Sequence, residues 1–190
     1  DLFRYPGVRS DSDMYTLSYP FKAWSNPKAI ADGADIRDYL IESADEYGIA
    51  ERIQYGRHVT DASWDSNDAT WTVTLKLADG GTETLRTNFL YLCSGYYSYD
   101  EGYMPKFPGI DSFEGEVIHP QFWPENADYE GKNVVVIGSG ATAVTLLPAL
   151  AETAQNVTML QRTPTYLLSH WVRDKGVLSA LAALRAAAGE

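Results

Sequence analysis

Apolar and polar residues alternate strictly over residues 71–77 (WTVTLKL), which puts Trp71, Val73, Leu75 and Leu77 on one face of a half-buried strand. The turn Asp79-Gly80-Gly81 leads into TETLRT, so the two runs predict a hairpin. FLYLCSG at 89–95 is apolar without alternation and ends in glycine, the pattern of a strand buried on both faces of a parallel sheet. Upstream, Ile36, Tyr39, Leu40 and Tyr47 recur near helical spacing, predicting a helix over 35–48 that Asp35 caps and Gly48 ends. Residues 1–26 carry many aromatics with no period. Pro6-Gly7 reads as a turn, and Ser10, Asp11, Ser12 and Asp13 offer side-chain acceptors; such a segment runs over a surface or wraps a ligand. Residues 97–131, acidic and rich in Pro and Gly, read as a connection with little regular structure. After them, NVVVIGSGATAVTLLPALAETAQNVTMLQR gives a buried strand (133–137), a glycine turn, a helix and a second strand (157–161). This is one βαβ unit, in which Pro148 kinks or ends the helix.

The turn inside that unit carries the sharpest chemistry. Gly138-Ser139-Gly140-Ala141-Thr142-Ala143 is GxGxxA, directly after an apolar strand and before a helix. The first glycine permits a tight turn, the second lets the backbone approach a pyrophosphate, and Ala143 lets helix and strand pack closely. The helix start then offers free N–H groups and partial positive charge to phosphates, so Gly138, Ser139, Gly140, Thr142 and Ala143 are candidate nucleotide contacts. The competing reading is a purely structural strand–turn–helix. The second strand ends in Gln161-Arg162-Thr163, where an NAD site carries an acid for the ribose hydroxyls. A guanidinium suits a 2′-phosphate instead, which points to NADPH over NADH; the bland alternative is that Arg162 is a solvated charge. No second glycine fingerprint occurs, so the phosphate turn for a second dinucleotide such as FAD lies outside these residues.

Composition narrows the classes. Net charge is -11, and Lys plus Arg total only 15, which argues against a nucleic-acid partner. The 5 Trp and 13 Tyr can fill a core or line a cofactor site. A lone Cys93 excludes an internal disulfide, a CxxC redox pair and a thiolate zinc site, and with it a flavin disulfide reductase. His58, His119 and His170 lie too far apart for a local metal motif, so no metal is expected. No apolar run approaches the ~18 residues of a membrane span, and no signal segment opens the chain, so a cytoplasmic setting is expected. The chain begins at Asp1 without Met and closes in an Ala-rich run at 177–188, from which we expect an interior piece of a longer protein.

Residues 113–124 then read as Phe113-x-Gly115-xxx-His119-xxx-Trp123-Pro124, just upstream of the glycine turn. This resembles the fingerprint of the Baeyer–Villiger monooxygenases, a group within the flavin-containing monooxygenases. Tyr5-Pro6-Gly7-Val8-Arg9-Ser10-Asp11 matches the tail of a second pattern of that family. LFRYPGVRSDSDMYTL, FLYLCSGYYSYDEGY and VVVIGSGATAVTL through MLQRTPTY are similar to the thioamide-activating (ethionamide-type) members from actinobacteria, over nearly the whole chain.

The resemblance implies an α/β fold with two dinucleotide-binding domains, truncated here at both ends. Residues 1–130 would be the later part of an FAD domain with a linker, and 131–190 the start of an NADP domain. It implies an FAD- and NADPH-dependent monooxygenase that forms a C4a-peroxyflavin from O2 and inserts one oxygen atom into a ketone, or oxygenates a sulfide or thioamide. Asp11 falls on the flavin-side aspartate that holds a catalytic arginine, a role a carboxylate suits; otherwise it is a turn acceptor. That arginine would lie past residue 190. His119 falls on the fingerprint histidine between the domains, tied to cofactor binding and domain movement; the alternative is a histidine bonded to its own loop. Arg9 and Ser10 fall near the nicotinamide end, and Val59 where the backbone meets the FAD adenine. Leu17 stands where the family commonly has Tyr. The competing functions are a flavin N- or S-monooxygenase and, from another class, a non-catalytic NADPH-binding module.

Overall fold

The opening segment runs largely over the surface, as expected, but sends three side chains into the core. In the computed structural model, which describes residues 2–163, 165 and 166, Tyr5, Met14 and Trp24 are buried. Helix α1 (Met14–Leu17) is one turn, capped by Asp13, whose carboxylate accepts from the Thr16 N–H at 3.0 Å. Helix α2 (Gly33–Glu46) begins two residues before the expected start, because the Asp32 carbonyl accepts the first helical bond, from Ile36 at 3.1 Å. Its end is as expected: Gly48 turns left-handed (φ 61), and the Ile49 and Gly48 N–H groups reach the Ala44 and Asp45 carbonyls. Met14, Trp24, Ala31 and Tyr39 form one buried cluster, with the Trp24 indole satisfied by the Lys28 carbonyl at 2.9 Å.

Asp13 gives the segment a pH dependence. The Thr16 hydroxyl, and after it the Thr16 N–H, holds the Asp13 carboxyl below the usual carboxylate range. A depressed folded-state value means stability that is present above the unfolded value near pH ~4 and lost as pH falls through the folded one. Asp13→Asn, an equally good cap, therefore flattens the acid limb of the stability curve. The change is under about 1 kcal/mol because the group is solvent-screened, and urea midpoints at pH 6 and pH 3 measure it.

The described residues cluster into two units, divided after Ser43 and again after Tyr97. The unit between those points holds an antiparallel sheet of β1 (Arg57–Asp65), β2 (Thr70–Leu77) and β3 (Thr82–Thr87), in that order. The expected hairpin is β2–β3, with Val73 opposite Leu85 and both Val73 and Leu75 buried. Strand β1 was not legible in the sequence, and a register shift interrupts it between Val59 and Asp61. The expected buried strand at 89–95 does not form. Phe89, Tyr91 and Leu92 are 76%, 78% and 72% exposed, and these residues join no strand. A run buried on both faces needs neighbouring strands to pair its backbone, and none among the described residues does so.

Residues 97–131 are largely irregular as expected, with 3-10 turns at Ile110–Ser112 and Pro120–Phe122. The βαβ unit then follows as β4 (Asn133–Ile137), α3 (Ala141–Leu150) and β5 (Asn156–Leu160), the strands parallel with Asn133 opposite Asn156. Pro148 lies inside α3, which ends two residues later. Tyr5, Leu146 and Leu150 form the second buried cluster, against Val134, Val136 and Val157. The opening segment reaches α3 through Gly7, whose α-carbon hydrogens face the Thr145 carbonyl so closely that a Cβ there would stand 2.3 Å from its oxygen. The Ala-rich run at 177–188 and His170 lie outside the described residues.

Candidate dinucleotide site

The glycine turn hangs from the end of the parallel pair. Gly138 has φ 123, a conformation other residues rarely adopt, and its N–H donates to the Leu160 carbonyl at 2.8 Å. Gly140 stands at the start of α3 with extended backbone (φ -76, ψ -177) and no side-chain cap. The first helical bond runs from Val144 to the Gly140 carbonyl at 3.1 Å, so the N–H groups of Ala141, Thr142 and Ala143 have no partner within the helix. Beside both glycines the space is open: a Cβ on either would meet no atom within 4 Å. Ala143, in the first turn of α3, is buried.

Past β5, Gln161, Arg162 and Thr163 are exposed, and Arg162 makes no ion pair among the described residues. Ser139 ties this loop to the turn. Its hydroxyl donates to the Thr163 carbonyl at 3.2 Å and accepts from the Thr165 hydroxyl at 2.8 Å. The Ser139 side chain is thereby committed to the protein. Thr165 had no signal in the sequence beyond being a hydroxyl close after Gln161-Arg162-Thr163.

The opening motif packs against α3 through Tyr5 and Gly7. Val8–Ser10 is laced to residues 31–33: the Ser10 N–H donates to the Ala31 carbonyl at 2.9 Å, and the Ser10 hydroxyl accepts from the Ala31 N–H at 3.0 Å. Arg9 pairs its backbone with Asp32 and is exposed. Asp11 is exposed and its carboxylate has no hydrogen-bond or ionic partner among the described residues. The local acceptor role is taken by Asp13, so nothing in the turn uses Asp11.

The fingerprint loop centres on Gln121, which is buried at 2% exposure. Its carbonyl accepts from the Phe3 N–H at 2.9 Å, its amide donates to the Ser98 carbonyl, and its own N–H donates to His119 Nδ1 at 3.3 Å. His119 packs over Gly102, where a Cβ would lie 2.4 Å from the ring. Trp123 joins the Tyr5 cluster and meets Tyr129 edge to face at 6.0 Å. Val59 is in the other unit, on β1 beside its register shift and 49% exposed. The structure thus brings Gly138–Ala143 and Gln161–Thr163 together, and it anchors Arg9, Ser10 and Asp11 on a segment packed against α3.

The sequence profile of flavin-binding monooxygenase-like proteins matches residues 10–185. The chain belongs to the flavin-binding monooxygenase-like family. Within reach of this flavin-binding family, the FAD-containing monooxygenase EthA of Mycobacterium tuberculosis is 55% identical over 175 residues, covering 92% of this chain and 36% of EthA. Among solved structures, an oxidized steroid monooxygenase bound to NADP matches with a TM-score of 0.79 and 29% identity, over 97% of this chain and 36% of that one. Cyclohexanone monooxygenase from Rhodococcus sp. Phi1 bound to NADP+ matches with a TM-score of 0.75 and 29% identity, over 95% and 34%. These structural neighbours are Baeyer–Villiger monooxygenases, the group the sequence resembles. The fold class is α/β, that of the two-dinucleotide-binding-domain flavoproteins. The chain spans about a third of the length of the curated relatives it matches. No helix among the described residues is long and apolar enough to cross a membrane.

Proposed function

We propose that this chain supplies the NADPH-binding turn, and part of the flavin-side wall, of an FAD- and NADPH-dependent monooxygenase that inserts one oxygen atom from O2 into a ketone. Residues 1–130 belong to the FAD domain in this reading and 131–190 to the NADP domain. The observation that carries it is Gly140: its backbone angles suit any residue and no atom crowds its Cβ position, so the fold itself makes no demand for glycine there. A pyrophosphate that must approach the backbone does make that demand.

The residues present fit NADPH. The N–H groups from Ser139 to Ala143, at the positive end of a ten-residue helix, would hold the pyrophosphate. Gln161, Arg162 and Thr163 would hold the adenosine end, with Arg162 on the 2′-phosphate. When bound, NADPH supplies the hydride that reduces a flavin. Toward FAD the chain offers Asp11, Arg9, Ser10 and His119 in one unit and, separately, Val59 in the other, but no second glycine turn. Asp11, exposed and without a local partner, is free to fix a guanidinium. His119 is held at Nδ1 by the Gln121 N–H. The exposed, free Cys93 fits a reducing cytoplasmic setting.

Two measurements on the full-length protein test this reading. Arg162→Ala weakens NADPH binding about 10- to 100-fold, the worth of charge-assisted hydrogen bonds, and leaves NADH unchanged; an unaltered NADPH affinity makes Arg162 a solvated charge. Incubation with a cyclic ketone, NADPH and 18O2 yields a lactone carrying one labelled oxygen. A labelled sulfoxide or N-oxide from a sulfide or amine, with no lactone, supports the flavin N- or S-oxygenase. NADPH binding with no oxygenated product supports the non-catalytic module.

A further inference from the structure

Ser139 lies between the two glycines of the phosphate turn, yet its hydroxyl faces the loop after β5. A serine hydroxyl has one proton to give, and Ser139 gives it to the Thr163 carbonyl at 3.2 Å while receiving one from Thr165 at 2.8 Å. Both bonds fold the loop back onto the turn, and Arg162 is the residue immediately before the tethered Thr163. The two halves of the coenzyme site, one for pyrophosphate and one for the ribose phosphate, are therefore joined by a relay of two hydroxyls.

We propose that Thr165 is a positioning residue for coenzyme selection, holding the Gln161–Thr163 loop against the glycine turn through Ser139 so that Arg162 is pre-placed for a 2′-phosphate. This rests on the NADPH reading given above. Thr165 touches no coenzyme atom in this role. It lowers the ordering cost that Arg162 would otherwise bear on binding, and only a coenzyme with a 2′-phosphate gains from that. In a chain of two hydrogen bonds the Thr165 donor also polarises the Ser139 hydroxyl, which strengthens its bond to Thr163.

The test is a set of dissociation constants for NADP+ and NAD+, measured calorimetrically on the full-length protein. Thr165→Val keeps the shape and loses the donor. It is expected to weaken NADP+ about three- to tenfold, the worth of an exposed hydrogen bond, with NAD+ altered less than about twofold. Thr165→Ser restores NADP+ affinity. The proposal is overturned if Thr165→Val leaves NADP+ unchanged, if it weakens both coenzymes equally, as a general loss of structure would, or if Thr165→Ser fails to rescue. Arg162→Ala separates the two levels of the argument. If it abolishes the NADP+ preference while Thr165→Val leaves that preference unchanged, the relay is wrong and the NADPH site stands. If Arg162→Ala leaves the preference intact, the NADPH reading itself fails, and the relay with it.

Discussion

Gly7→Ala destabilises the unit built on α3 by about 3 kcal/mol, read as a shift in urea midpoint with unchanged slope. Two independent costs add at this position. Gly7 has φ 77, where an L side chain pays roughly 1–2 kcal/mol. Its Cβ would also stand 2.3 Å from the Thr145 carbonyl oxygen and 3.1 Å from the Ala149 Cβ. The first of these is backbone in the middle of a helix, which cannot swing aside as a side-chain tip would, so the two segments must part. Overpacking of this kind costs about 1–3 kcal/mol. A control at Gly80, with similar φ (88) and no atom within 4 Å, pays the backbone cost alone. If Gly7→Ala and Gly80→Ala behave alike, the contact with α3 contributes nothing.

Gly140→Val is expected to do the reverse. With φ -76 and no neighbour within 4 Å of its Cβ position, the substitution lowers stability by about 1 kcal/mol or less, the cost of a poorer residue at a helix N-cap. It occupies the space a pyrophosphate needs, and NADP+ binding falls about 5- to 30-fold, the worth of about one to two kcal/mol of steric cost at a close contact. Thermal unfolding and calorimetric titration of one sample separate the two effects. An equal loss of stability and binding would make Gly140 a structural glycine and return the turn to the bland reading.

What the sequence disclosed was local. The alternation in 71–77 and the run from Asn133 through Leu160 each form their element from neighbours in the chain, and both appear within a residue or two of the expected bounds. The burial of Tyr5, Met14 and Trp24 was hidden because their backbone is irregular, and no period marks a side chain that enters a core from a loop. Strand β1 was hidden for the opposite reason: Arg57, His58, Asp61 and Asp65 break its apolar pattern, and it pairs with β2 through its backbone. FLYLCSG failed because burial on both faces is a property of partners and not of the run itself. At the site, Gly138 and Gly140 were legible because glycine has few reasons to recur at that spacing before a helix. Thr165 and Gln121 were not, since each acts through distant chain segments with a residue type common everywhere on protein surfaces.

The division of the chain after Ser43 and Tyr97 has a consequence for how it acquires this structure. The stretch between those points contains its own sheet, with β2 and β3 joined by a tight turn and β1 paired to β2 from the preceding residues. Its contacts are local in sequence, and such contacts form fast. The remainder is discontinuous: the Tyr5 cluster waits for Leu146 and Leu150, more than a hundred residues downstream. On the ribosome, where synthesis delivers residues in order, the intervening sheet can therefore be complete before α3 emerges. Once folded, it shortens the stretch of flexible chain between the first residues and the helix, and this lowers the entropy that must be given up when they finally meet.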